Sequence, residues 1–488
     1  MRAASDWDAP FYLKEGENLM QKLTISDIAK ATGGTLKFSD NGGYQTSPLL
    51  RDEMGDTKIT SVVTDSREVT GGALFIAIKG DNVDGHRFIK SAVENGAAAV
   101  VAQEVCDCGA TVIEVSDTTK AYGDIARYYK EKHNLPTVSI TGSVGKTTTK
   151  DMIYSAIAAD RCAMKTEKNY NNHIGVPLTV LSIEKEHKTA VIEMGMNHFG
   201  EIDYLASIVK PDIAVITNIG MSHIANLGSQ EGIFRAKMEI TNYFDEHNVL
   251  IVNGDDKFLG TLKQEDLKYK LVTYGVSDPE CDVTAHNIIS HGLDGVECDI
   301  IVDSSEYHVY IDIPGVHNVY NALAAVTAAR ELGIAPETAI YGIEHVELTG
   351  GRLEIVDVNG MKIIKDYYNA SPDSVKSALG ILSCATQERK AAILGDILEM
   401  GEYAKNAHVD LGDEVVKNKI DLLITAGENA NYIADRAKSL GMENVHAFGT
   451  TDEAAEFAKT ALTTGDAVLI KASHGMHFEK VFDAISEK

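Results

Sequence analysis

The chain has 488 residues, 44% hydrophobic and 24% charged, with 45 Lys plus Arg against 72 Asp plus Glu and a formal charge of -27. This is a globular composition with length for about three domains. Its negative surface repels nucleic-acid phosphates and anionic lipid, so an anionic ligand needs a cationic or metal-bearing pocket.

No run of 18 apolar residues is present to span a membrane. The N-terminus carries acids and no apolar signal core. Six cysteines without CxxC spacing fit a reduced, cytoplasmic chain.

Residues 1–19 are irregular and read as an extension, disordered or foreign to the domain, with patterned sequence from Met20. A first block, 20–115, opens with the helix ISDIAKATGG and continues through ITSVVTDSREVTGGALFIAIKG, where Gly71-Gly72 and Gly80 mark turns. A helix, HRFIKSAVENG, then feeds the apolar strand AAAVVA. These predict a small α/β domain.

The second block, 116–349, carries the strands TVSIT (137–141), KTAVIEM (188–194), DIAVITN (212–218) and NVLIVN (248–253), with helical segments between most of them. Near-continuous apolar strands bounded by helices indicate a parallel sheet covered on both faces. Segments 296–302 and 308–313 alternate like an added antiparallel hairpin, and the Ala-rich helix NVYNALAAVTAARELG ends at Gly333.

The third block, 350–488, begins with a hairpin turning at Asn359-Gly360, a type I′ signature. Strands at 391–395, 421–425 and 466–472 then alternate with helices at 372–383, 404–418, 429–440 and 451–461. This predicts a second open, mainly parallel sheet.

The sharpest local signal is TGSVGKTT (141–148), a glycine turn between strand and helix. Gly142, Ser143 and Gly145 would turn backbone N–H groups toward phosphate oxygens, and Lys146 and the positive helix end add attraction. Thr147 and Thr148 supply hydroxyls for a phosphate-bound Mg2+. Ile140 stands where GxxxxGK[ST] has its first Gly, so the loop is a shortened form. Phosphate chemistry with ATP follows from this turn.

Polar residues collect at neighbouring strand ends, where open parallel sheets hold ligands. Glu193 closes one strand and His223 follows the next, a carboxylate and an imidazole suited to a divalent ion, with a loop cap as the plainer reading of His223. Lys237, on a helix, reads from its surroundings as a solvated lysine.

Further motifs are TDSR (64–67), GDNVDGHRF (80–88), NYNNHIGVPLT (169–179), EMGMNHFGEI (193–202), TNIGMSHI (217–224) and GIFRAKMEI (232–240). To these add HNVYNALAA (317–325), GGR (350–352), DYYNASPDSV (366–375) and LGDILEMGEY (394–403). With these motifs the chain resembles the Mur ligases from Met20 to its C-terminus. The resemblance implies three domains: a small N-terminal α/β domain for the UDP end of the substrate, a central P-loop-like ATP-binding sheet, and a Rossmann-like C-terminal domain for the incoming amino acid or dipeptide. It implies an ATP-dependent peptide ligase of peptidoglycan synthesis, acting through an acyl phosphate with ATP and Mg2+.

Residue by residue, Lys146 resembles the lysine on the β/γ-phosphates, and Thr147, Glu193 and His223 the ligands on the metal side. Lys237 matches a lysine that the family carries as a carbamate, able to help hold a second Mg2+. Asn318 and Asn321 resemble base contacts, Arg352 an arginine that approaches the ATP phosphates on domain closure, and Asp366 and Tyr367 residues near ATP and its ribose. A turn-stabilising carboxylate remains the alternative at Asp366. Ser66 and Arg67 resemble uridine diphosphate contacts, and Asn171 and Asn172 muramoyl-peptide contacts.

The Asn-rich 169–172 segment, and the lack of an Asp-Asn-Pro-Arg loop, favour the members that add D-alanyl-D-alanine to UDP-N-acetylmuramoyl-tripeptide. The rivals are a member adding the third amino acid and a silent ATP-binding regulator. Lys471-Ala472-Ser473-His474 departs from the family's Lys-Gly-Ser-Arg, which bears on dipeptide preference because histidine replaces a permanent cation. A monomer is the working expectation.

Overall fold

A computed structural model describes residues 23–40, 43–45, 56–80, 83–104, 108–349 and 353–487. The extension at 1–19 and Arg352 lie outside the described residues. The chain divides into two compact units, one running to His133 and including Leu181–Lys185, the other holding Asn134–Val180 and Glu186 onward.

In the first unit, β1 (Thr35–Asp40), β2 (Gly43–Gln45), β3 (Val62–Val63), β4 (Leu74–Ile76), β5 (Ala99–Ala102) and β6 (Thr111–Glu114) form a sheet in the order β2-β1-β6-β5-β4-β3. The helix Ile25–Thr32 starts at a Thr24–Asp27 capping box and stops at Gly33, whose φ of 63° relieves the chain of a side chain in the left-handed region. The helix Thr118–Lys132, placed by the sequence in the middle block, belongs to this unit, where the Tyr128 hydroxyl donates to Asp27 at 2.6 Å. Tyr129 fixes the 181–185 segment to the same unit, donating from its buried hydroxyl to the Ile183 carbonyl at 2.6 Å.

The second unit contains two sheets. The larger is built from β7 (Thr137–Thr141), β8 (Ala163–Lys165), β9 (Thr189–Glu193), β10 (Ile213–Ile216), β11 (Val249–Asn253), β12 (Lys270–Gly275), β13 (Val283–Ser290), β14 (Val296–Val302) and β15 (Ser305–Ile311). Their order is β15-β14-β13-β12-β11-β10-β7-β9-β8, parallel from β13 to β8 and antiparallel across β13-β14-β15. The expected hairpin is therefore the outer part of a three-stranded extension, with its last strand beginning three residues earlier than the alternation indicates.

The helix His317–Glu331 packs against the helix Lys146–Ala158, and Ala322, Ala324, Ala325, Ala328 and Ala329 are all fully buried. Small side chains let these two helices approach closely over the sheet. The helix Lys146–Ala158 also anchors the chain leading into the last sheet. Asp151 accepts from the Thr349 N–H and hydroxyl at 2.8 and 3.0 Å, and Lys150 donates to that hydroxyl at 3.1 Å.

The last sheet comprises β16 (Glu354–Val358), β17 (Met361–Lys365), β18 (Arg389–Gly395), β19 (Leu422–Ala426), β20 (Val445–Phe448) and β21 (Asp466–Lys471), in the order β16-β17-β21-β18-β19-β20. All its pairings are parallel except β16-β17, which turns at Asn359 and Gly360 with φ of 52° and 74°. β20 and the closing helix Glu479–Ser486 go unread in the sequence, the first because four residues, one buried, two half-buried and one exposed, give no clear apolar alternation. Among the described residues no helix is long and apolar enough to cross a membrane.

Candidate active site

The parallel strands β7, β9 and β10 are neighbours, so the residues after their carboxyl ends converge. At the end of β7, Gly142 has a φ of 155°, and a Cβ there would stand 1.8 Å from the Thr217 hydroxyl. Gly145 has a φ of 84° at the N-cap of the helix Lys146–Ala158.

The turn is braced from β10. Asn218 accepts from Ser143 N–H at its carbonyl (3.1 Å) and from Val144 N–H at its side chain (2.9 Å). The Val144 carbonyl in return accepts from Thr217 Oγ1 at 2.7 Å and Asn218 Nδ2 at 2.9 Å. No side chain caps the helix. Its first-turn N–H groups and positive end thus face the cleft beside Lys146, the arrangement that receives a phosphate. Lys146 donates to the Gly142 carbonyl at 2.8 Å.

Behind the turn, Glu193 is fully buried and bonded to neutral partners. Thr147 Oγ1 donates to Oε2 at 2.9 Å and Asn171 Nδ2 to Oε1 at 2.8 Å. Asn172 Oδ1 accepts the N–H groups of Ile174 and Gly175, fixing the start of the next helix.

Lys237 is 2% exposed on the helix Gln230–Met238, and among the described residues no carboxylate pairs with it. Burial, with the charge of Lys146 second, holds its amine well below the usual lysine range. His223 occupies the left-handed region at φ 61°, and its Nδ1 is 2.9 Å from Glu399 Oε2 of the last domain. Burial, then Lys146, lower its imidazole below the usual value, with Glu399 opposing. The fields therefore place Lys146, His223 and Lys237 in one neighbourhood.

A cleft of about 430 Å3 runs between this turn and the last sheet. One wall holds Ser143, Gly145, Lys146, Thr148, Asn171, Asn172, His223 and Asn321. The opposite wall holds Asp366, Tyr368, Ser371, Lys471 and His474. Gly142, Thr147, Glu193, Lys237 and Asn318 are not among the lining residues; Thr147, Glu193, Lys237 and Asn318 are buried. Asn318 orients Asn321 by accepting from its Nδ2 at 2.8 Å, while Asn321 Oδ1 accepts from Thr149.

Tyr367 packs against the core of the last sheet, and it is Tyr368 that lines the cleft, 5.8 Å ring to ring from His474. Successive residues in extended chain face opposite ways, so two adjacent tyrosines leave the sequence unable to say which one faces the ligand. Asp366 forms an ion pair with the buried Lys471, which also donates to the Asn369 carbonyl at 3.1 Å. His317 lines the same cleft and is held down to about 4 by burial and the Lys471 cation.

In the first unit, Ser66 is buried and its carbonyl accepts from Asn95 at 2.9 Å. Arg67 is exposed and pairs with Asp65. Asn218, Lys471 and Glu399 stand within motifs evident in the sequence, but their contacts join strands and domains far apart in the chain. His317 carried no signal beyond its place in HNVYNALAA.

The residues present fit a nucleotide and a divalent cation. An uncapped helix start with a lysine suits phosphate, and a buried carboxylate whose side-chain hydrogen-bond donors among the described residues are neutral suits a divalent cation.

Comparison with known proteins finds relatives along nearly the whole chain. The Mur ligase middle domain matches residues 140–329, the "Mur ligase, glutamate ligase domain" residues 351–474, and the "Mur ligase family, catalytic domain" residues 58–130. The chain is 38% identical over 478 residues to the UDP-N-acetylmuramoyl-tripeptide--D-alanyl-D-alanine ligase of Bacillus subtilis (strain 168), covering 96% of this chain and 99% of that protein. A crystal structure of MurF from Acinetobacter baumannii superposes with a TM-score of 0.87 at 30% identity, covering 96% of this chain and all of that one (100%). MurF ligase from Thermotoga maritima in complex with ADP gives 0.78 at 27% identity, covering 88% and 97%.

Proposed function

The chain belongs to the Mur ligase family, and on that premise we propose that it joins D-alanyl-D-alanine to UDP-N-acetylmuramoyl-tripeptide at the expense of ATP, forming the pentapeptide precursor of peptidoglycan. The terminal carboxylate of the tripeptide takes the γ-phosphoryl group of ATP, because a carboxylate alone is a poor acyl acceptor. The dipeptide amine then attacks the acyl carbon, the C–O bond to phosphate breaks, the amine loses its proton, and amide, ADP and phosphate leave. Closure of the last domain keeps water from the activated acyl group.

The observation that carries this reading is the buried Glu193, held by Thr147 and Asn171 directly behind an uncapped, lysine-bearing helix start. Thr147, Glu193 and His223 would hold Mg2+, which supplies charge neutralisation between two anionic substrates. Lys146 takes the β/γ-phosphates, and Gly142, Ser143, Gly145 and Thr148 shape the cradle around them. The depressed amine of Lys237 would favour the neutral form, which adds to carbon dioxide with loss of a proton, and the resulting carbamate would help hold a second Mg2+.

Asn321, oriented by Asn318, faces the base, and Asp366 with Tyr368 faces the ribose side. Arg352 approaches the phosphates. Ser66 and Arg67 take the UDP end, and Asn171 and Asn172 the muramoyl peptide. The roles divide as the unit running to His133 for the UDP substrate, 134–349 for ATP and 350–488 for the dipeptide, in a cytoplasmic monomer.

The test is phosphate release by the purified chain with ATP, Mg2+ and UDP-linked tripeptide, with the dipeptide added or withheld. Release that depends on D-alanyl-D-alanine, together with a pentapeptide product, is expected. Release indifferent to the dipeptide, turnover with a UDP-linked dipeptide and a single amino acid instead, or nucleotide binding without turnover would each overturn it.

A further inference from the structure

The helix Pro372–Ser383 lines the dipeptide side of the cleft through Ser374, Ser377 and Ala378. Its first turn also reaches the central domain. Asp373 Oδ2 accepts the backbone N–H of Met221 at 3.1 Å, across 152 residues of chain. That N–H belongs to the loop after β10, which braces the phosphate turn. In the same loop Gly220 N–H donates to the Ser143 hydroxyl at 2.8 Å, Ser222 Oγ to the Ser143 carbonyl at 3.3 Å, and Asn218 holds Val144.

The approach is close. A Cβ on Gly220 would stand 2.3 Å from Asp373 Oδ2 and 3.2 Å from Ser143 Cβ, so only glycine lets the carboxylate reach the loop. We propose that Asp373 is a positioning residue for ligation: its bond to Met221 N–H, seated against Gly220, sets the dipeptide-side helix in register with the phosphate turn.

The physical case rests on geometry and charge. A carboxylate–amide bond is stronger than a neutral one and is directional. It joins one wall of the cleft to the backbone that shapes the other. Attack on an acyl phosphate needs the amine aligned with its carbon, and a misplacement of about 1 Å costs on the order of 100-fold in rate. Asp373 is not among the residues that line the cleft. Its loss therefore changes how the two substrates meet rather than how ATP is held.

This inference rests on the ligase reading, and the experiment separates the two. Asp373→Ala, Asp373→Asn, Gly220→Ala and the double variant Asp373→Ala/Gly220→Ala are compared with the full-length wild type. The readouts are steady-state ligation, equilibrium binding of ADP and backbone hydrogen exchange at Met221. For Asp373→Ala, kcat falls about 100-fold, the KM for D-alanyl-D-alanine rises, ADP affinity holds, and exchange at Met221 speeds up. Asp373→Asn keeps an acceptor oxygen and recovers most of the rate. Gly220→Ala reproduces the loss, and the double variant is no worse than either single one, as expected for two sides of one contact.

Wild-type kcat and KM in Asp373→Ala, or a loss matched by equal weakening of ADP binding, would overturn the proposal. A wild type that fails to ligate the dipeptide, with Met221 exchange still governed by Asp373, would sink the ligase reading while the docking contact stands.

Discussion

Thr147 Oγ1 donates to Glu193 Oε2 at 2.9 Å inside a site where Glu193 has no exposed surface. The hydroxyl next to Lys146 is thereby tied to the carboxylate on the adjoining strand. Glu193→Gln preserves size and an acceptor oxygen but removes the charge. It should keep the fold, lower kcat by about 100-fold or more, and raise the Mg2+ concentration needed for half-maximal rate. A Mg2+ titration of the ligation rate checks this; an unchanged midpoint would remove Glu193 from the metal side.

Gly142→Ala tests the turn. The added methyl would meet the Thr217 hydroxyl at 1.8 Å, so the turn must open and Val144 loses its braces. Binding of ADP, measured by calorimetry, should fall by at least about 10-fold, a loss of about 1.4 kcal/mol. The sheet should survive, because the strain falls after the last residue of β7.

For Lys237 the sign of the pH effect is definite. Its amine is held well below the usual lysine range, so folding releases a proton at any pH between that lowered value and the ordinary one. The unfolded state binds more protons between the lowered folded value and the ordinary value of about 10.4, and stability rises with pH across that window. Lys237→Met removes that dependence and should raise the melting temperature near neutral pH by about 2–4 °C for each kcal/mol recovered, while abolishing ligation. Thermal scans at neutral and alkaline pH check the first claim. Partial rescue of Lys237→Ala activity by a small carboxylic acid, and none by bicarbonate, checks the second.

His317 gives an acid-side counterpart. Its imidazole is held down to about 4, against an unfolded value near 6.5, so it stays neutral in the fold while the unfolded chain takes up a proton. Stability should therefore fall as pH drops from about 6.5 to about 4 and level off below. His317→Gln should flatten that part of the curve, as followed by denaturant unfolding at stepped pH. An unchanged slope would mean that other groups govern the acid limb.

His474 occupies the position where the resemblance leads one to expect arginine, and it lines the cleft beside Tyr368. His474→Arg supplies a permanent cation for the dipeptide carboxylate and should lower the KM for D-alanyl-D-alanine several-fold with little change in kcat. A raised KM would show that the Tyr368–His474 ring contact itself shapes the pocket.

Much of the frame was legible because strong periodicity and turn chemistry are local. The strand 137–141, the helices 372–383 and 451–461, and the Asn359-Gly360 turn stand where the sequence puts them. The phosphate turn was legible for the same reason. What eluded the sequence is relational. Glu399 meets His223 across 176 residues, and Asp373 meets Met221 across 152. The burial of Lys237 depends on packing around a short helix whose own pattern is compatible with solvent. The register that turns Tyr367 inward and Tyr368 toward the cleft needs the neighbouring strand to be seen.

The attachment of Thr349 to Asp151 and Lys150 carries a mechanical consequence. The helix that starts at the glycine turn grips the connector to the last sheet before its own midpoint, through the residues directly after its first turn. A swing of that sheet thus has its fulcrum little more than one helical turn from the glycine loop, so a nudge on the connector is felt at the loop over a short, stiff arm.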